Sequence, residues 1–219
     1  MEREARLTTV FGVVALAALL CVAGCGSRAG RAPAPKIDGD LSDACWKDAG
    51  IAGDWTNVET GKTVTPKPTV LVHYDETNIY IAFLNPEPDM KAVVAEATDR
   101  DGEVWRDDSN EIFLDPTGKR EKYFQFIVNT KGVLLDSDTR DSSWDSGATV
   151  AAKTMKDAWS VEVAVPLSSL GVTGSLKGKT WAANFCRNRR ATGEPELQAW
   201  ADTGESFHNP EAFKDLTFK

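Results

Sequence analysis

The chain has 219 residues, with 33 Asp and Glu against 25 Lys and Arg and a formal net charge of −8. An acidic chain without a basic stripe argues against nucleic acid and against electrostatic docking to anionic lipid. Two histidines, no H-x-x-x-H and no cysteine cluster argue against a zinc site.

In chain order, Phe11 to Val22 is apolar and ends in Val22-Ala23-Gly24-Cys25. This run is too short for a transmembrane anchor and fits the hydrophobic region of a signal peptide. Val-Ala-Gly-Cys resembles the lipobox of bacterial lipoproteins, which implies cleavage before Cys25 and lipidation of its thiol. Residues 1–24 are therefore expected to be a signal peptide, and residues 25–35 a lipidated cysteine and a flexible tether. The expected location is outside the cytoplasm, anchored to a membrane by lipid, in the periplasm or at the cell surface. Removing 24 of 219 residues leaves 195, which suits one domain burying roughly 70% of its unfolded surface. Cys21 leaves with the leader and Cys25 takes the lipid. Cys45 and Cys186 remain in an oxidising compartment, where a disulfide between them is expected. The alternative is two separate buried thiols, since free Cys behaves as a small hydrophobe.

Residues 36–219 read as the working domain. Ile37 to Asp40 is a short strand entering a turn, and Leu41 to Ala49 one or two helical turns capped by Ser42 or Asp43. Trp46 reads as a core plug. Asp54 to Pro68 is loop-like, broken by Gly61, Pro66 and Pro68, with Trp55 pinned to the core. Thr69 to Tyr74 and Ile79 to Leu84 form a hairpin whose second strand is apolar on both faces, as in a strand covered on both sides. Lys91 to Ala95 is a candidate further strand.

The stretch Val104 to Asp115 then puts one indole, Trp105, beside Asp107, Asp108 and Glu111, followed by the apolar strand Ile112 to Leu114. Carboxylates and an aromatic ring held by a buried strand suit a polar ligand with apolar faces, such as a sugar. The same residues also fit a turn with a solvated acidic rim. Alignment on Gly102 does not reproduce an EF-hand, because Ala97 falls at the first ligand position. A looser calcium site among Asp99, Asp101, Asp107 and Asp108 remains a candidate.

Tyr123 to Asn129 and Val133 to Leu135 read as strands joined by Thr130-Lys131-Gly132. Asp136 to Gly147 is a polar loop carrying Trp144. Ala158 to Pro166 alternates, with Trp159, Val161, Val163 and Val165 inward and Ser160 and Glu162 outward. Thr180 to Arg187 places Trp181, Ala183 and Phe185 on one face and Asn184 and Cys186 on the other. Leu197 to Trp200 and Phe213 to Phe218 complete about ten strands with almost no helix. The predicted fold is all-β, an antiparallel β-sandwich of two sheets with jelly-roll or immunoglobulin-like architecture. No Rossmann glycine motif or nucleophile elbow occurs. Residues 174–180 miss the P-loop spacing and precede a strand, not a helix.

The ordered set Ile37-Asp-Gly-Asp-Leu41 with Trp46, the hairpin at 70–83, Trp105-x-Asp107-Asp108-Ser109-x-Glu111, Phe126-x-Val128-Asn129, Trp159-x-Val-Glu162, Trp181-x-x-Asn184 and Pro210-x-x-Phe213 resembles family 9 carbohydrate-binding modules over residues 36–219. The resemblance implies a non-catalytic sandwich that clamps a sugar between two rings. Trp105 matches the first ring, and Phe207 stands where the second, a tryptophan, is expected. Glu111 matches an acidic acceptor of sugar hydroxyls, and Asn129 falls beside a further polar ligand. Two positions depart: Ile127 replaces an arginine, and Cys186 stands where a polar amide is expected. The resemblance also admits structural calcium. Arg187, on a neighbouring strand, is a candidate donor on its own account. The expected partner is an oligo- or polysaccharide. The alternatives are a haem-binding or redox module on the same sandwich, using His73 or His208 with Met90 or Met155, and an envelope scaffold whose sugar site has decayed.

Overall fold

The structure, a computed structural model, describes residues 33–219 apart from Ala52. The expected leader, Cys25 and residues 26–32 of the tether lie outside the described residues. Eleven strands are present among the described residues: β1 (Thr56–Asn57), β2 (Thr69–Tyr74), β3 (Asn78–Pro86), β4 (Ser109–Asp115), β5 (Phe124–Asn129), β6 (Leu134–Asp138), β7 (Thr149–Thr154), β8 (Ala158–Pro166), β9 (Thr180–Arg189), β10 (Glu196–Ala199) and β11 (Lys214–Thr217). They form an antiparallel seven-stranded sheet, ordered β1-β10-β9-β4-β5-β6 with β11 also pairing β9, and a four-stranded sheet ordered β2-β3-β8-β7. The two sheets pack as the predicted sandwich. The described helical structure is limited to short 3-10 turns, and no helix among the described residues is long and apolar enough to cross a membrane.

Alternation decides the core. Ile79, Ile81 and Phe83 of β3 meet Trp159, Val161, Val163 and Val165 of β8 on the inner face of one sheet. Ile112 and Leu114 of β4, Phe126 and Val128 of β5, and Trp181, Ala183 and Phe185 of β9 line the other. Burying a Phe, Val or Ile side chain here contributes about 1.5–3 kcal/mol, so this double layer dominates the fold. Trp55 joins it, as expected for a ring pinning its loop. Trp144 packs against Phe124 and Phe126, with centroids 5.0 and 6.0 Å away.

The outer face of the four-stranded sheet is also covered. Cys45, Trp46 and Ala49 lie on Tyr80, Ala82 and Ala164. Glu162, read from alternation as outward and solvated, is instead fully buried under this N-terminal segment. Its carboxylate accepts the Asp38 and Gly39 backbone N–H groups at 3.0 and 2.7 Å and the Trp46 indole N–H at 2.9 Å. Burial pushes the Glu162 carboxyl above the usual range, and those three donors oppose the rise. Gly39 has φ +81°, and a Cβ there would meet the Ala152 backbone at 2.8 Å. Only glycine fits a backbone this close to β7.

Several elements differ from expectation. The helical turns at 41–49 reduce to one 3-10 turn, Ala44–Trp46. Residues 91–95 form no strand; the Val94 N–H is taken by the Asp108 carboxylate and its carbonyl by the Asp108 N–H. Strand β7, TVAAKT, was not foreseen. It lies on the edge of its sheet and has no alternating apolar face for sequence to reveal.

The expected disulfide does not form. Cys45 packs outside the four-stranded sheet, whereas Cys186 packs outside the seven-stranded sheet among Phe113, Tyr123, Phe207 and Phe213. The whole sandwich separates them, so both are free buried thiols. Burial raises the Cys45 thiol to about 11 and Cys186 well above its usual value. A thiol reagent is expected to label neither cysteine in the folded domain 26–219 and both after denaturation. Resistance to labelling after denaturation without reductant would restore the disulfide.

Candidate functional site

The outer face of the seven-stranded sheet carries a hollow of about 570 Å³. Strand parity builds its floor. Glu111 of β4 points outward between β5 and β9, opposite Ile127 and Cys186. Gln125 Nε2 donates to Glu111 Oε2 at 2.7 Å, and Asn188 Nδ2 donates to Oε1 at 2.7 Å. Both donors line the hollow. Each oxygen is thus oriented by one amide and retains acceptor capacity. Burial pushes the Glu111 carboxyl above the usual carboxylate range, against the pull of Asn188, Gln125 and the Arg190 charge.

The walls are aromatic. Trp105 is 38% exposed, one of only two large apolar side chains exposed among the described residues. It sits on the 3-10 turn Val104–Arg106, whose Val104 is buried against Ile127 and Leu135. Phe207 also lines the hollow and packs edge-on against Phe113, with centroids 6.5 Å apart. It is only 5% exposed, so its ring serves more as backing than as a free plate. Beside it, His208 lines the hollow and bonds through Nδ1 to the Tyr123 hydroxyl at 2.8 Å. Burial, then the Arg140 charge, lower the His208 pKa and favour the neutral ring.

The acidic pair before β4 holds this wall in place. Asp107 accepts the Glu96 and Ala97 N–H groups at 2.8 and 3.1 Å, and Asp108 accepts those of Val94 and Arg190 at 2.9 and 3.0 Å. Both carboxylates are buried and face backbone. They clamp the 94–97 and 190 segments around Trp105.

The predicted site residues therefore separate. Trp105, Glu111 and Phe207 line one hollow. Asn129 does not: its Nδ2 donates to Asp107 at 2.8 Å, and its Oδ1 accepts the Lys131 and Val133 N–H groups at 3.0 Å. It fastens a turn and has no valence left for a ligand. Arg187 is fully buried on the inner face, over the Trp159 ring at 5.8 Å and paired with Glu87 at 2.8 Å. It is a structural cation. The calcium set fails as well. Asp107 and Asp108 are occupied by backbone N–H groups, Asp99 is exposed, and Asp101 takes the Asp136 N–H. Among the described residues no group of three or more His, Cys, Asp or Glu is arranged for a metal, so these carboxylates do not fit calcium. The two histidines offered as haem ligands sit in separate surroundings. His73 stacks on Tyr80 under the N-terminal segment, and His208 lies on the opposite sheet.

Gln125, Asn188 and Arg190 were missed. Gln125 and Asn188 are the two amides on Glu111, so the amide sought at Cys186 stands two residues along the same strand face. Arg190 donates from Nη2 to the Trp105 carbonyl at 2.9 Å and also lines the hollow. Period-two parity from Cys186 pointed to Asn188, but only cross-strand register shows that it meets Glu111.

A two-sheet sandwich with an aromatic-walled polar hollow on one outer face defines a class of β-sandwich modules. Residues 37–219 match the family model described as carbohydrate family 9 binding domain-like, and the chain belongs to that family. Among solved structures it is similar to a family 9 carbohydrate-binding module from Caldicellulosiruptor kristjanssonii in complex with glucose. The two are 19% identical with a TM-score of 0.64, over 88% of this chain and 94% of that one. The cellotriose complex of a family 9 module from that organism gives 19% and 0.65, over 88% and 93%. A protein from Bacteroides uniformis gives 18% and 0.67, over 88% and 98%. No curated protein matches the chain.

Proposed function

We propose that the protein binds carbohydrate in the hollow around Glu111 and does not cleave it, acting as a lipid-anchored protein of the cell envelope. The observation that carries the reading is a buried carboxylate, aimed by two amides, at the foot of an exposed indole. Sugar hydroxyls would donate to Glu111, and a sugar C–H face would lie on Trp105. Family membership and the glucose and cellotriose complexes of its structural relatives support this choice. Arg190 supplies a cation that Ile127 does not. The lipobox at Val22-Ala23-Gly24-Cys25 supports the anchor.

A glycan array with residues 26–219 tests the reading, and silence from a well-folded sample would overturn it. The charged Glu111 is the better hydroxyl acceptor, and burial raises its pKa. Affinity is therefore expected to be full above that raised value and to fall as pH drops through it, starting at a pH above the ordinary glutamate range. Titration calorimetry across pH 4–8 with a sugar from the array should show this decline, and Glu111→Gln should flatten it.

A further inference from the structure

Trp105 is a partition between two hollows. Beyond it lies a second one of about 550 Å³, lined by Val94, Arg106, Gly193 and Pro195 together with Trp105 and Arg190 themselves. The two hollows share the ring and the guanidinium, so a chain ligand leaving the first crosses the indole edge into the second. Their chemistry differs. The first sets Glu111, Asp101 and Glu205 against Arg140 and Arg190 on its lining, whereas the second has two arginines, Arg106 and Arg190, and no acid.

These arginines retain donors. Arg106 pairs only with Glu103, at 3.1 Å, and both side chains are more than half exposed. Such a pair contributes little and exchanges readily for another anion. Arg190 is fixed against the Trp105 carbonyl through Nη2, and its buried Nε has no hydrogen-bond partner among the described residues. Two guanidiniums beside an aromatic edge suit a planar carboxylate on an apolar ring, since guanidinium matches carboxylate in a two-pronged fashion. In a protein of net charge −8, this is a local reversal of sign at the groove.

Resting on the carbohydrate reading, we infer that the hollow formed by Arg106, Arg190 and Trp105 is a second subsite for an acidic sugar unit, a uronate, next to the unit held at Glu111. The ligand is then a chain of at least two units, neutral at Glu111 and anionic beyond Trp105.

The test compares cellotriose with two derivatives carrying one C6 carboxylate, at either the reducing or the non-reducing end. Titration calorimetry at low salt is expected to show one isomer binding about tenfold tighter than cellotriose, the scale of a charge-assisted contact. The ratio should shrink at high salt and fall towards one in Arg106→Gln, whose exposed side chain is not needed for folding. If neither isomer binds tighter, or if the ratio survives Arg106→Gln, the second subsite is wrong while the carbohydrate reading stands. If cellotriose, glucose and both acids all fail to bind, the subsite as drawn is wrong, and the carbohydrate reading falls with it only if the glycan array is silent too.

Discussion

Trp105→Ala is expected to weaken sugar binding by about ten- to a hundredfold and to leave the melting temperature nearly unchanged. The ring offers an exposed face at the hollow, and losing it removes apolar contact on the order of 1–3 kcal/mol. At 1.4 kcal/mol per tenfold change, that spans the range given. Stability behaves differently because the indole is an exposed member of its turn, while Val104 does the packing. Exposed substitutions away from caps and buried networks cost about 0.5 kcal/mol or less. Calorimetry for affinity and a thermal melt for stability separate the two effects. Unchanged affinity would mean that the ligand sits elsewhere, whereas a collapsed melt would mean that the indole is structural.

Arg187→Ala is expected to do the reverse, costing on the order of 3 kcal/mol of stability by breaking a buried pair. Arg187 donates to Glu87 at 2.8 Å and to the Pro86 carbonyl at 3.0 Å, and its stem lies in the inter-sheet core by Trp159. Removing it leaves a cavity and an unsatisfied carbonyl. Arg189 still holds Glu87 with contacts of 2.7 and 3.0 Å, which keeps the loss from being larger. Arg187→Met preserves most of the packing and should lose clearly less. A urea midpoint for each variant decides this. A ligand role would instead appear as lost affinity at unchanged midpoint.

Much of the sandwich was legible because its strands obey a period of two. The inward Ile79, Ile81 and Phe83 and the second apolar face at Tyr80 and Ala82 follow from residue order alone, since both faces of β3 are covered. The same rule assigns Arg187 to the inner face with Trp181, Ala183 and Phe185, so its buried place could have been read from parity. Glu162 could not. Its face is closed by a segment more than 100 residues earlier in the chain, and no local pattern announces that cover. The site divides in the same way. Trp105 and Glu111 stand out within one short stretch, whereas Asn188 meets Glu111 across 77 residues through the register of β4 and β9. Asp107 and Asp108 misled because exposed acids and acids that clamp backbone N–H groups look alike in sequence.

The N-terminal segment that roofs the four-stranded sheet also settles which way the hollow faces. Residues 38 and 39 are fastened to Glu162 on one outer face, and Glu111 opens on the other. Residues 37–39 therefore lie at the back of the molecule, away from the hollow. A surface holding that end would see the roof, and the indole would look outward like a palm turned away from the wrist. A flexible tether ahead of the roof would leave the groove free to turn, and its length would set how far the groove reaches.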